Sequence, residues 1–451
     1  MFPQRPPRST PRAPRRTWLM LLSVIALTAC LPEGVRVPQS PLSALLERKS
    51  GLIAYLSGDG NIYTIDQGGG HKTSVTTDAF VDDNNFLFYG LPTWSPDSQS
   101  LAFASYTGVR GENPSSMSLF TAHKDGSELK EALQSDTPLI FYYWSPDSRR
   151  LGLISSTANN SLAFEVVSPS GERQLVDAGA PFYWSWAPDG HAILAHAGGA
   201  SPGPDARLSL LQLDPTVTEQ SFGLPPSEFR APAFSPNGRQ VLVASPGATD
   251  GKSDLLLTNS TGGDARSLAE YDTAQSIAFV WSPDGSRVAY LLADSPLPGA
   301  TGHLVVVDPA GKAKPVELDG TDVYAFFWSP DSQSLAYFTP AQSTPTGTIN
   351  ASNSDSSATA DPLILNLSVL DAASGQTHSV ATFPSSERFL AIIPYFDQYH
   401  PSLTIWSPDS KYLVVSAYSS DGVPGIYVTT AAGHIALSHI ADGWMGFWSW
   451  K

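Results

Sequence analysis

The sequence predicts an all-β chain of small antiparallel sheets closed into a ring, and three observations predict it. One four-residue motif recurs along the chain, its copies are spaced by about the length of a four-stranded sheet, and the last residues supply a strand that the first residues lack. The motif is Trp94-Ser95-Pro96-Asp97, repeated as Trp144-Ser145-Pro146-Asp147, Trp281-Ser282-Pro283-Asp284, Trp328-Ser329-Pro330-Asp331 and Trp406-Ser407-Pro408-Asp409. Trp186-Ala187-Pro188-Asp189 and Phe234-Ser235-Pro236-Asn237 are variants, and Trp448-Ser449-Trp450 is a half-copy. Steps between the aromatic positions are 50, 42, 48, 47, 47, 78 and 42 residues, the range of propeller blades with one insertion.

Each motif reads as a tight turn. Proline presets φ at the first turn position, Asp or Asn can fold its side chain back onto the N–H groups that follow, and Gly or Ser comes next. Alternating strands follow the turns, such as Leu101 to Ser105, Val288 to Leu292 and Tyr412 to Ser416. A second strand comes after each (Leu304 to Asp308, Ile426 to Thr430), and then a polar turn leads to another strand. A four-stranded sheet this small needs neighbours on both faces to bury its apolar sides.

Seven turn motifs alone would give seven blades, and that count stays as the alternative. Leu52 to Leu56, Asn61 to Asp66 and His71 to Thr77, however, read as strands two to four of a blade without its first strand. Gly446 to Trp450 matches the strand that precedes each turn, so the expectation is a closed β-propeller of eight four-stranded blades, sealed by three N-terminal strands and one C-terminal strand. Closure removes the open sheet edges.

Upstream of the repeats stands an export address. Arg5, Arg8, Arg12, Arg15 and Arg16 precede an apolar run, Thr17 to Ala29, that ends at Leu27-Thr28-Ala29-Cys30. Thirteen apolar residues are short for a membrane span, which takes about 20, and fit a signal peptide. The ending resembles the bacterial lipoprotein box. That resemblance implies a diacylglyceryl lipid on Cys30, cleavage before it, and a lipid-anchored extracytoplasmic protein of the cell envelope. Arg15-Arg16 also resembles a twin-arginine export signal. The domains are thus a signal peptide at 1–29, the lipidated Cys30 and a tether at 30–50, and the propeller at 51–451.

Removing residues 1–29 takes five arginines and no acid, leaving 21 basic against 42 acidic residues and a net charge of −21. So acidic a body argues against nucleic acid, whose phosphates are bound by Lys and Arg, and leaves membrane attachment to the lipid. The single Cys excludes a disulfide framework and a multi-cysteine zinc site.

The Trp-Ser-Pro-Asp repeats resemble those of the TolB family, which occur also in the non-catalytic propellers of prolyl oligopeptidase-like enzymes. The resemblance covers about residues 52–451 and implies fold more than function. TolB carries a separate N-terminal domain and a six-bladed propeller and is soluble in the periplasm; this chain departs on all three points, so the TolB role does not carry over.

The residues offer no catalytic constellation. Gly199-Ala200-Ser201-Pro202-Gly203 fits the serine-hydrolase pattern, but Pro202 lacks the N–H that an oxyanion hole needs at that position. His191 and His196 lie five apart on one strand and face opposite ways. Asp82-Asp83-Asn84-Asn85 lacks the glycine spacing of calcium loops and reads as a solvated turn. Asn159, Asn259, Asn350 and Asn366 begin sequons of little weight behind a bacterial signal. No metal or bound cofactor other than the lipid is expected. Residues 340–361, rich in Ser, Thr, Ala and Asn, read as a flexible excursion, with a lid as the other reading.

An up-and-down blade places its tight motif turns on one face of the disc. The long segments 78–88, 106–115, 197–206, 246–253, 293–301, 339–361 and 384–402 fall on the other. Tyr89, Phe141, Tyr142, Phe182, Tyr183, Tyr324 and Trp444 stand at the inner rim of that second face, either to stack on sugars or peptides or to pack between blades. Two functions follow: a lipid-anchored binding or scaffold module for a protein, peptide or glycan, and, as the alternative, a lyase or hydrolase of a glycan or lactone with its site at the channel mouth. The first is favoured over an enzyme.

Cys30→Ala should move the protein from the membrane fraction to a soluble or uncleaved form on cell fractionation; wild-type protein that is soluble without detergent would reject the anchor.

Overall fold

The computed structural model describes residues 50–451 apart from 158, 160, 202, 204, 298 and 342–361. The export segment, Cys30, the tether to residue 49, Pro202, Asn350 and nearly all of the 340–361 excursion lie outside the described residues. Among those described, the strands form seven hydrogen-bonded sheets, all of whose pairings are antiparallel.

Five sheets hold four strands in chain order. In one, Ser276–Trp281, Val288–Ala293, Gly302–Val307 and Val316–Val323 pair successively, with the motif tryptophan ending the first strand. Their alternating Val, Leu and Tyr residues bury both sheet faces, as the stacking of sheets around a ring requires. The sheets led by Trp144, Trp186, Phe234 and Trp328 repeat this order.

The seven sheets match the alternative count of seven, and the three N-terminal strands and the C-terminal strand pair as expected without standing apart as an eighth sheet. The cause is one strand, Ser438–Trp448, that runs eleven residues without a turn. Its first half pairs with Pro424–Thr430 (Val428↔Ser438, Gly425↔Asp442) and its second half with Ile53–Ser57 (Ser57↔Gly443, Ile53↔Trp448). The N-terminal strands Ile53–Ser57, Ile62–Ile65 and Thr73–Ser74 are thereby fused with the last repeat into one six-stranded sheet, and the ring closes inside it. One correction concerns residues 78–88, expected as irregular loop. Phe80–Val81 and Asn85–Tyr89 form a hairpin that pairs with the extended strand Ser100–Val109 and widens the Trp94 sheet to six strands.

The motif turns take the expected form and add to it. Asp97 Oδ1 accepts the N–H of Gln99 at 3.0 Å, and Ser98 sits at φ 62°. The serine of the motif is the hub: Ser95 Oγ donates to Asp97 Oδ1 at 2.6 Å and accepts the Ser100 N–H at 2.9 Å. The same serine-to-acid bond recurs at Ser145, Ser282, Ser329 and Ser407. A left-handed serine is strained relative to glycine, and here its hydroxyl has a use that glycine could not fill. Ser148 Oγ accepts from Asp97 N (3.1 Å), Ser332 Oγ from Asp284 N (3.0 Å) and Ser410 Oγ from Asp331 N (3.1 Å), each joining one sheet's turn to the next.

The tryptophans form a second set of cross-links. Five buried indole Nε1 groups reach the carbonyl just before the aromatic position of the preceding repeat. The pairs are Trp144 to Thr93 (3.3 Å), Trp281 to Ala233 (3.1 Å), Trp328 to Val280 (3.3 Å) and Trp406 to Phe327 (2.9 Å). Trp94 completes the circle by donating to Phe447 at 3.2 Å. Trp186 and Trp448 are buried without such a partner.

Residues 449–451 and 50–52 together build one more motif turn, assembled from distant parts of the chain. Ser449 N donates to Leu52 O at 2.7 Å and Leu52 N to Ser449 Oγ at 3.0 Å, as Ser95 and Ser100 do within one turn. Lys451 N reaches Ser98 Oγ and Asp409 N reaches Ser50 Oγ, so the turn-to-turn links also continue through this seam. Gly51 is required there: at φ +69° a Cβ would come within 2.5 Å of Ser449 Oγ and 2.8 Å of Pro408.

Trp281→Ala removes a side chain only 6% exposed and its inter-sheet bond; it should cost about 3 to 5 kcal/mol in denaturant unfolding, and a change below about 1 kcal/mol would contradict the packing. Deleting residues 446–451 removes the buried Phe447 and Trp448 and bares the edge of Ile53–Ser57. The loss should be at least about 3 kcal/mol with enhanced aggregation, whereas deleting 33–38 should leave the melting curve in place; equal curves would reject the closure.

Candidate functional site

The channel of the ring is filled from one side by a segment that the sequence reading left as irregular loop, residues 384–402. Ser386 caps a short helix, α1 (Glu387–Ile392), followed by a 3-10 turn with Pro394 and by α2 (Phe396–Tyr399). Phe389, Ile392, Ile393 and Phe396 fall at i, i+3, i+4 and i+7, and all four are buried. That spacing behind a serine cap is a helix signal present in the sequence.

Bonds from around the ring hold this plug. Thr93 Oγ1 donates to Ser402 O at 2.9 Å, the Tyr183 hydroxyl donates to Gln398 O, and Ser386 Oγ donates to Trp444 O at 3.2 Å. The Phe141 ring meets Tyr399 edge-on at 4.8 Å, and Phe326 meets Phe396 at 4.6 Å.

The predicted aromatic rim encircles the plug but does not form one surface. Phe141 and Tyr142 line a cavity of 370 Å³ beside Tyr399, Phe182 and Tyr183 one of 190 Å³, Tyr89 and Trp444 one of 230 Å³, and Tyr324 a crevice of 30 Å³. Their hydroxyls are engaged locally: Tyr89 donates to Asp78 Oδ1 at 2.7 Å, and Tyr142 donates to Leu91 O while accepting from Ala104 N, both at 2.9 Å. Tyr183 and Tyr142 are buried enough that their pKa values rise well above the ordinary phenol range.

A cavity of 390 Å³ opens on the opposite face, among the tight motif turns. Pro146, Pro236 and Pro283 stand exposed at its mouth, aromatic side chains including Trp144, Trp281, Trp328 and Trp450 form its wall, and the plug residues Asp397, His400, Leu403 and Thr404 form its floor. Sequence reasoning missed this funnel because it assigned the plug segment to a surface loop and took the repeated turns as structural only.

Asp397 and His400 are the acid and imidazole of the funnel. Asp397 is 4% exposed, and burial pushes its carboxyl above the usual range against the pull of Arg230. Arg230 is engaged elsewhere, its Nε donating to Glu228 Oε2 at 3.0 Å. Burial lowers His400 to about 4 although its Nδ1 bonds Asp397 O at 2.8 Å. Since a carbonyl only accepts, Nδ1 carries the proton and Nε2 the lone pair.

The other singled-out residues are dispersed. His191 is exposed and bonds Asp214 Oδ2 at 3.0 Å. His196 is buried with its two nitrogens against Arg230 O and Gly199 O. Asp82 Oδ1 accepts from Asn84 N and Asn85 N at 2.8 and 2.6 Å, which pulls its pKa down and closes the hairpin turn. Among the described residues no three His, Cys, Asp or Glu side chains converge as a metal site would need.

The molecule thus belongs to the class of closed propellers with a plugged channel and a funnel on the turn face. Solved structures of similar fold include the dihydro-heme d1 dehydrogenase NirN in complex with DHE, 13% identical over 97% of this chain and 87% of that one with a TM-score of 0.53. An oligogalacturonate lyase in complex with manganese is 15% identical over 85% of this chain and 97% of that one, with a TM-score of 0.50. TolB from Acinetobacter baumannii is 13% identical over 94% and 88%, with a TM-score of 0.38 that carries no argument. At these identities the likeness is one of fold. No family model and no curated protein matches the sequence.

Proposed function

We propose that this protein is a lipid-anchored extracytoplasmic binding module, held at a membrane of the cell envelope through Cys30, that takes a protein, peptide or glycan partner through the funnel on its turn face. The observation that carries the reading is the funnel itself. A concave site with a mostly apolar wall and a few convergent polar groups is the usual form of a ligand pocket. Here the walls are proline and aromatic side chains, and the polar floor is Asp397, His400 and Thr404. The twin-arginine or general route of export and the acidic body fit a location outside the cytoplasm.

A second reading is favoured by one observation, the acid and imidazole standing together on that floor: hydrolysis or elimination on a glycan or lactone bound in the funnel, with proton transfer by Asp397 or His400. The two readings part on turnover.

Peptide and glycan fractions of a cell envelope can be screened by indole fluorescence, since several of the protein's tryptophans line the cavity. A saturable change is expected. Pro283→Trp places at the mouth the residue that Trp450 already places at the same motif position, so it should leave melting unchanged while weakening binding about tenfold or more. A ligand bound equally by this variant would move the site away from the funnel, and steady product release would establish the enzymatic reading.

A further inference from the structure

We propose that the funnel receives an organic ammonium group carried on an apolar body, with Asp397 as its counter-charge. This rests on the reading of the funnel as the ligand site and adds the chemical class of the ligand. The wall discriminates by what it withholds. No lysine or arginine lines it. The indole N–H groups of Trp144, Trp281 and Trp328 are committed to backbone carbonyls, and Trp186 Nε1 is buried out of reach of solvent. An anion entering the funnel meets aromatic surface, proline rings and a carboxyl group, with no cationic donor. A cation meets the electron-rich faces that attract ammonium groups within about 6 Å of a ring centroid.

The charges around Asp397 leave a place for one positive charge. Among the described residues no basic side chain forms an ion pair with its carboxylate. Of the charged pair that faces it, Arg230 attracts its carboxylate more than Glu228 repels it, but the Arg230 Nε is already bound to Glu228. His400 is neutral above about pH 4, and Tyr183, bonded to Gln398 of α2, and Tyr399, at the end of α2, have their ionisation pushed upward by burial. When Asp397 ionises, the backbone N–H groups of Asp397 and Gln398 and the more distant Arg230 compensate its charge only in part, since burial still outweighs them and raises its pKa. A buried carboxylate is costly unless paired, and a ligand ammonium supplies the pair. His400 Nε2, an acceptor, suits the same ligand. This acid is more than nine-tenths buried, lines the funnel, and lies at the end of an aromatic wall.

The test uses the mature protein and calorimetry with a matched pair of probes, phenethylammonium and 2-phenylethanol. The ammonium should bind about tenfold or more tightly than the alcohol, the effect of one charge-assisted hydrogen bond. Asp397→Asn should erase the difference, and so should lowering the pH on wild-type protein until Asp397 is protonated. The wild-type comparison needs no variant, and melting of Asp397→Asn checks that it folds. A tripeptide with a free amino terminus that outbinds its acetylated form would assign a peptide end as the natural source; preference for the small amine alone would assign a free amine. Equal binding of amine and alcohol, lost in Pro283→Trp, would overturn the ammonium assignment and leave the funnel as the site. Binding indifferent to Pro283→Trp, or no binding of either probe, would overturn both.

Discussion

The bond from a buried indole to the carbonyl of the preceding repeat is the constraint on which this structure depends. Sheets that touch only through apolar faces can slide, because burial is not directional. An N–H buried at the narrow end of a sheet must find an acceptor or leave a donor desolvated at a cost of about 1 to 3 kcal/mol. For five tryptophans of this ring the acceptor is the residue before the neighbouring aromatic position, so satisfying each of these fixes the stagger of two sheets. The serine-to-turn bonds fix it again at the outer surface of the same face. Phe234 cannot donate and Trp186 and Trp448 do not, so the constraint is shared around the circle rather than complete at every joint.

A ring built this way leaves its axis open, and the chain fills that space with one insertion. The division of labour that results is chemical as well as geometric. Repeats contribute the wall of the funnel, which is uncharged and alike from sheet to sheet, whereas its acid and its imidazole both come from the plug. Changing the plug would change the chemistry of the floor without touching the bonds that hold the ring. On the other face the same plug divides what could have been a continuous aromatic surface into separate small cavities.

The ring was legible in the sequence because the turn motif has a local cause: Pro, Asp and a left-handed Ser or Gly act through their own backbone, so seven copies could be read without tertiary information. Pairing of the two distant strands was legible because Gly446 to Trp450 repeats the pattern before each turn. The sheet count was not, since nothing at Ala441, Asp442 or Gly443 announces that a strand will continue from one partner to the next. For the plug, Ser386 and the spacing of Phe389, Ile392, Ile393 and Phe396 did signal a helix, but only the ring's dimensions decide that it enters the channel. Asp397 and His400 gave no signal at all: the wall above them is made by residues of several distant repeats, from Trp144 to Trp328.

The seam between residues 449–451 and 50–52 has a wider consequence. It carries the hydrogen bonds of the other motif turns without a peptide bond running through it. Connectivity and architecture are therefore separable here: the hoop has no privileged break point. A circularly permuted chain, covalently joined across this seam and reopened at another motif turn such as Asp97-Ser98, could make the same contacts in the same places. The order in which the chain visits its sheets is then independent of the bonds that hold the disc together.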